Sequence, residues 1–186
     1  MAQNIHSGRK ILALTLSLLL AGCASIPLLT MWRLHSMTGE DLANLNVNEV
    51  QAAVQMPTGF EPDISSFRLK LTLSKDHKTA LERVFKLRKL GDGRLVLPGI
   101  PMPGPDKNLY LMALTPQSKQ ELEQLQPLLS NAKQNYDGFN FRINFKFLNI
   151  PSTAAGITLS MWIQLRADQG FFEILKNATL KIDHNK

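Results

Sequence analysis

Residues 138–147, GFNFRINFKF, alternate apolar and polar side chains without a break. Phe139, Phe141, Ile143, Phe145 and Phe147 fall on one side, with Asn140, Arg142, Asn144 and Lys146 on the other. Successive side chains of an extended strand point to opposite faces, so this period specifies a half-buried β-strand and is incompatible with an amphipathic helix. Asp137-Gly138 ahead of it is a turn signal. The same alternation recurs along the chain. Val50, Ala52, Val54 and Met56 oppose Gln51 and Gln55, while Phe67, Leu69, Leu71 and Leu73 oppose Arg68, Lys70 and Thr72. Ile157, Leu159, Met161, Ile163 and Leu165 form a further stripe. Phe172, Ile174, Ala178, Leu180 and Ile182 form the last, interrupted by Lys176.

Strands with one wet face pair antiparallel and pack against each other or against a helix. The stretch NLYLMALT, residues 108–115, is apolar on both faces and predicts a central strand covered on both sides. After it Thr115 caps, Pro116 fits the first helical position, and Leu122, Leu125, Leu129 and Ala132 recur at helical spacing, which predicts a helix over about 116–133. Pro127 is expected to kink or break that helix, because its ring collides with the carbonyl of Glu123. Thr38 with Asp41 three residues on marks the start of a short helical turn. Residues 80–90 admit two patterns. Leu81, Val84, Phe85 and Arg88 share a helical face ending at Gly91, whereas Phe85 and Leu87 point inward if the segment is a strand. A hairpin connection through DHKT, residues 76–79, favours the strand. The fold class expected is mostly β (α+β): an antiparallel, β-sandwich-like domain over 46–186 with one covering helix, preceded by a signal-peptide helix.

The N-terminus has a different grammar. Residues 1–10 are polar and carry Arg9 and Lys10 without an acid, residues 11–20 are apolar apart from Thr15 and Ser17, and small residues follow. This is the order of a secretory signal, and the apolar run is shorter than the roughly 20 residues a bilayer crossing takes. Leu20, Ala21, Gly22 and Cys23 then stand in sequence, and Cys23 is the single cysteine of the chain.

This arrangement resembles the bacterial lipoprotein precursors, whose signals end in a Leu, small residue, Gly or Ala, Cys lipobox. The resemblance implies a signal peptide over 1–22, cleavage between Gly22 and Cys23, and a lipidated N-terminus with a short lead-in over 23–45. It also implies a diacylglyceryl group on the Cys23 sulfur, usually with an acyl group on its amine. It further implies the outer membrane, because Ala24 stands where an inner-membrane lipoprotein tends to carry Asp. An ordinary buried or free cysteine is the plainer alternative. The mature domain resembles only uncharacterised lipoproteins of proteobacteria, which implies no mechanism.

Loss of the signal takes Arg9 and Lys10 and turns the formal charge of +6 into +4 over residues 23–186. The basic residues are spread along the chain, so nucleic-acid binding is not expected, while attraction to an anionic envelope surface fits. With its cysteine committed to lipid the domain has no disulfide and relies on packing.

Chemistry-bearing motifs are missing from the sequence. His6, His35, His77 and His184 are scattered, with no metal-ligand spacing and no second cysteine to help. Neither a G-x-S-x-G elbow nor a phosphate-binding glycine loop occurs. The expectation is therefore a non-catalytic chain with no metal and no cofactor beyond the covalent lipid.

Three features are candidates for binding. The first is the proline-rich loop around Val96, Leu97, Ile100 and Met102, either a docking segment or a loop folded over one end of the sandwich. If it docks a partner, serine at Leu97 and Ile100 is expected to spare folding and abolish the interaction. The second is the stripe Phe139, Phe141, Phe145 and Phe147, either core or the wall of a lipid-sized cavity. The third is the set Arg68, Lys70, Lys86, Arg88, Arg142 and Lys146, which share one sheet face if their strands are neighbours. Trp32 lies in the lead-in and suits either a first strand packed on the core or the headgroup layer. The function expected is a membrane-anchored, periplasm-facing interaction or accessory module with an envelope protein partner. A carrier of an apolar or lipid ligand is the alternative.

Overall fold

A computed structural model describes residues 27, 30, 32–33, 36–76, 78–130, 136 and 138–181. A short helix α1 (Gly39–Ala43) precedes strands β1 (Gln51–Pro57), β2 (Glu61–Lys75), β3 (Lys78–Gly93) and β4 (Lys107–Leu114). Helix α2 (Pro116–Ser130) follows, then β5 (Gly138–Asn149), β6 (Gly156–Gln164), a 3-10 turn (Ala167–Gln169) and β7 (Phe172–Lys181). The strands form one seven-stranded sheet in the order β5-β2-β3-β4-β1-β6-β7, with every neighbouring pair antiparallel. The fold is mostly antiparallel β with one main helix, and the curl of this one sheet wraps its inner face around the core. The last residues of the expected helix, 131–133, lie outside those described, as do Asp137 and Ile182.

The inner face carries the apolar stripes. Phe67, Leu69, Leu71 and Leu73 of β2 meet Phe85 and Leu87 of β3, Ile143 of β5, and the odd-numbered residues of β6 in one continuous cluster. Helix α2 closes that face with Leu122, Leu125 and Leu129. Full burial of a leucine contributes about 1.5–3 kcal/mol, so this stripe accounts for the helix being held on the sheet. Its first turn is also tied to β3. The Thr115 hydroxyl accepts from the Ser118 N–H at 3.2 Å, the Ser118 hydroxyl accepts from the Lys86 N–H at 2.8 Å, and the Thr115 N–H donates to the Lys86 carbonyl at 3.1 Å. α1 begins in a capping box in which Thr38 and Asp41 satisfy each other's main-chain N–H groups.

Residues 78–93 are strand, and Lys75 pairs with Lys78, leaving a two-residue hairpin turn in which Asp76 has a φ of 50°. β4 lies at the centre of the sheet and is buried on both faces, as its apolar composition predicts. Of the two outcomes expected at Pro127, the break does not occur, since α2 continues to Ser130. The proline costs the ladder its own N–H and crowds the Glu123 carbonyl, but the fully buried Leu129 retains the last turn. One expectation needs correction. β1 has no wet face either: Ala53 and Gln55 are buried as well as Ala52, Val54 and Met56.

The cover over β1 is the proline-rich loop. Ala53, Leu109 and Trp162 on the outer face of the sheet pack with Ile100 and Phe171 in a second apolar cluster. Gly99 allows this approach, with a φ of +83° and a position where an added Cβ would lie 3.0 Å from the Phe171 carbonyl oxygen. Gly99→Ala is therefore expected to cost about 1–3 kcal/mol. In a Trp32→Phe background the emission of Trp162 should move to longer wavelength as the loop lifts and water reaches the ring. An unchanged spectrum and melting temperature would show that the loop does not need this conformation.

Candidate functional site

The lipobox residues Gly22 and Cys23, and the histidines His6, His35, His77 and His184, lie outside the described residues. The lead-in that follows Cys23 is described at Pro27, Thr30, Trp32, Arg33 and Ser36, of which the last four are helical, so it is not a first strand. Side chains rather than a main-chain ladder hold it to β7. The Thr30 hydroxyl donates to the main-chain carbonyl of Glu173, the Arg33 guanidinium sits 4.7 Å over the centre of the Phe172 ring, and Arg33 also reaches Gln169 at 3.3 Å. Burial beneath this segment pushes the Glu173 carboxyl above its ordinary range, with Lys176 opposing the shift. Trp32 points away and is 72% exposed.

In the proline-rich loop the four candidate residues divide. Ile100 is 8% exposed and belongs to the second cluster, with Leu97 half-buried against it, whereas Val96 and Met102 are 73% and 63% exposed. The serine substitutions at Leu97 and Ile100 thus strike a core rather than sparing the fold. We expect that double variant to lose several kcal/mol of stability. Serine at Val96 and Met102 should change stability by less than about 0.5 kcal/mol each. Denaturant midpoints compare the two pairs, and equal midpoints would contradict the division.

The phenylalanine stripe of β5 is half-buried, with rings packed on one another and on the core. Phe145 stacks on Phe67 at 4.6 Å between ring centres, and Phe147 meets Phe145 at 5.2 Å and Phe60 at 5.9 Å edge to face. Phe139 and Phe141 lie against Leu73 and Leu71 of β2. A depression beside the stripe is open to solvent, about 530 Å³, lined by Asp63, Ser65, Ser66, Arg68, Asn144, Phe145 and Lys146. In it the Ser65 hydroxyl, 2.6 Å from Asp63, holds that carboxyl below its ordinary range.

Four of the six cations come together, while Lys146 stands opposite Asp63 and Arg88 opposite Ala113 of β4. β5, β2 and β3 are neighbours, with Lys70 opposite Arg142 and Arg68 opposite Lys86. Lys70 is bridged to Glu82 at 2.6 Å, and Arg68 bonds to main-chain carbonyls. The outward side of β5 itself carries Asn140, Arg142, Asn144 and Lys146, followed by the exposed Leu148.

The ends of the sheet were not legible from alternation, which is silent on strand order. β7 is one edge and β5 the other. Among the described residues no cluster of three His, Cys, Asp or Glu could hold a metal ion, and no helix is long and apolar enough to cross a membrane. Compared with protein-family models, with curated proteins and with solved structures, the chain matches none.

Proposed function

We propose that this chain is a lipid-anchored, non-catalytic interaction module of the bacterial envelope, held at the periplasmic face of the outer membrane through Cys23. The lipobox Leu20-Ala21-Gly22-Cys23 carries the reading. The structure adds a constraint on reach. Pro27 is the first described residue and Thr30 is already bonded to β7, so three residues, or four steps of at most about 14 Å of chain, separate Cys23 from Pro27. A module so tethered works at the membrane surface, and the exposed Trp32 ring suits the headgroup layer there.

A protein partner rather than an apolar ligand is supported by how the interior is filled. A carrier needs an enclosed volume of several hundred Å³ lined by rings such as Phe141 and Phe145. Here the Phe145 ring is stacked on Phe67, and the space beside it is open to solvent rather than enclosed. Intact-mass spectrometry of the protein extracted from membranes of its own host tests the anchor. The expected mass is that of residues 23–186 plus two or three acyl chains, and an unacylated chain retaining residues 1–22 would overturn the reading.

A further inference from the structure

An edge strand presents a row of unpaired main-chain groups, and proteins blunt such edges with bulges, covering segments or charge. The two edges of this sheet are treated differently. β7 is interrupted where Asn177 takes a φ of 44° and its N–H turns to the Ser160 hydroxyl at 2.9 Å, and the lead-in covers it at Glu173. β5 alternates without a positive φ from Gly138 to Asn149.

The direction of the β5 main chain follows from the registers. On β3, the Lys86 N–H and C=O face Ser118 and Thr115, away from β2. Arg68, its partner on β2, therefore directs its own main-chain groups toward β5, and so do Lys70 and Thr72. They meet Asn144, Arg142 and Asn140. The alternate residues Phe139, Phe141, Ile143 and Phe145 direct their N–H and C=O groups outward, where no described residue pairs with them.

We propose that this edge takes an extended segment of a partner polypeptide as an eighth strand, with apolar residues on its inner side and acidic residues on its outer side. Main-chain bonds to the four outward residues supply the attraction, and the flanking side chains select the sequence. On the inner side the added strand would lie beside the half-buried rings of Phe139, Phe141 and Phe145. On the outer side it would lie beside Arg142 and Lys146, with Lys70 and Arg68 in the next strand. This charge row also argues against a second copy of the chain, since pairing β5 with β5 would bring two rows of Arg142 and Lys146 onto one face, and crowded like charges across strands destabilise. The proposal rests on the interaction-module reading and names its surface. The loop side chains Val96 and Met102 are the competing surface.

The test starts in the native host with the full chain, carrying a photo-crosslinking residue at Asn140, at Asn144 or, for comparison, at Val96. The expected result is a crosslink from Asn140 and Asn144 that maps to an extended acidic and apolar segment of another protein, with less from Val96. A synthetic peptide of the mapped segment is then titrated onto the purified protein. Phe141→Ala and Phe141→Pro both lose the ring, but only proline loses the outward N–H, which does not bond to β2. Phe141→Pro should bind at least about 10-fold more weakly than Phe141→Ala. The double variant Arg142→Glu, Lys146→Glu touches no core and should weaken binding at least about 10-fold, and wild-type affinity should fall with salt. Equal binding by the alanine and proline variants would overturn the proposal, as would crosslinks no stronger than from Val96, or a crosslink to a second copy. The intact mass of the same sample separates the two claims. Acylated Cys23 without an edge crosslink overturns the edge alone, and an edge crosslink on an unacylated chain overturns the anchor alone.

Discussion

Alanine at Phe67 should lower the unfolding free energy by about 3–5 kcal/mol, the range for deleting a buried phenylalanine ring. Phe67 is 0% exposed and lies under the stacked Phe145, where β2 resumes its pairing with β5 after the irregular stretch Asp63–Arg68. Its loss removes the ring's own burial and leaves Phe145 stacked against a void that the strands on either side cannot close. Domains of this size are stable by about 5–15 kcal/mol, so the variant should be close to unfolding at physiological temperature. The urea midpoint measures the effect, with the slope of the transition held as the control for an unchanged denatured state. Leu148→Ala, on an exposed side chain of β5, should stay within about 0.5 kcal/mol of wild type. A Phe67→Ala midpoint as close to wild type as that would mean that the β2–β5 end of the sheet is not part of the cooperative core.

Phe67 was legible in the sequence because burial on one face of a strand leaves a period of two, and the even strand positions here are polar enough to expose it. The same logic located Leu69, Leu71 and Leu73 and the stripe of β6, while the centre strand β4 was found by the opposite sign, apolar residues on both faces. It failed where the cover comes from outside the sheet. Gln55 has the polarity of a solvated position, yet it is buried on the same face of β1 as Ala53, over which Ile100 and Phe171 pack. Nothing local to β1 encodes this. The loop itself carried two compatible meanings, and its alternation of Val96 outside with Ile100 inside depends on Gly99 passing over Phe171. β7 illustrates a third limit. Its stripe is even-numbered on paper, but the bulge at Asn177 lets Leu175 pair with Met161 while Ala178 pairs with Leu159. The candidate edge was half legible: the composition of β5 was plain, but its place at the end of the sheet follows from β2 pairing with β3 on its other side. That is a non-local choice.

Substituting Cys23 with alanine, with residues 1–22 replaced by a secretory signal that is cleaved without a lipobox, should move the protein from the membrane pellet to the soluble fraction while leaving the domain folded. The two parts of this expectation have separate causes. Each buried methylene of an acyl chain contributes about 0.8 kcal/mol, so two or more chains hold a protein on a bilayer stably where one gives only marginal binding. Without the sulfur and the processed amine, what remains is one exposed ring, Trp32, and a formal charge of +4 over residues 23–186. These attract a membrane weakly and in a salt-dependent way. The wild-type chain should therefore resist extraction by high salt, whereas Trp32→Ala should leave its fractionation nearly unchanged, and Cys23→Ala should be released by salt if any of it pellets. Folding is expected to be indifferent because both apolar clusters are built from residues after position 36 and the lead-in is held by Thr30 and Arg33. The melting temperatures of the detergent-extracted wild type and the soluble variant should agree within a few degrees. Salt-resistant membrane association of Cys23→Ala would place the membrane contact in the domain itself, with the exposed Trp32 as the first residue to test.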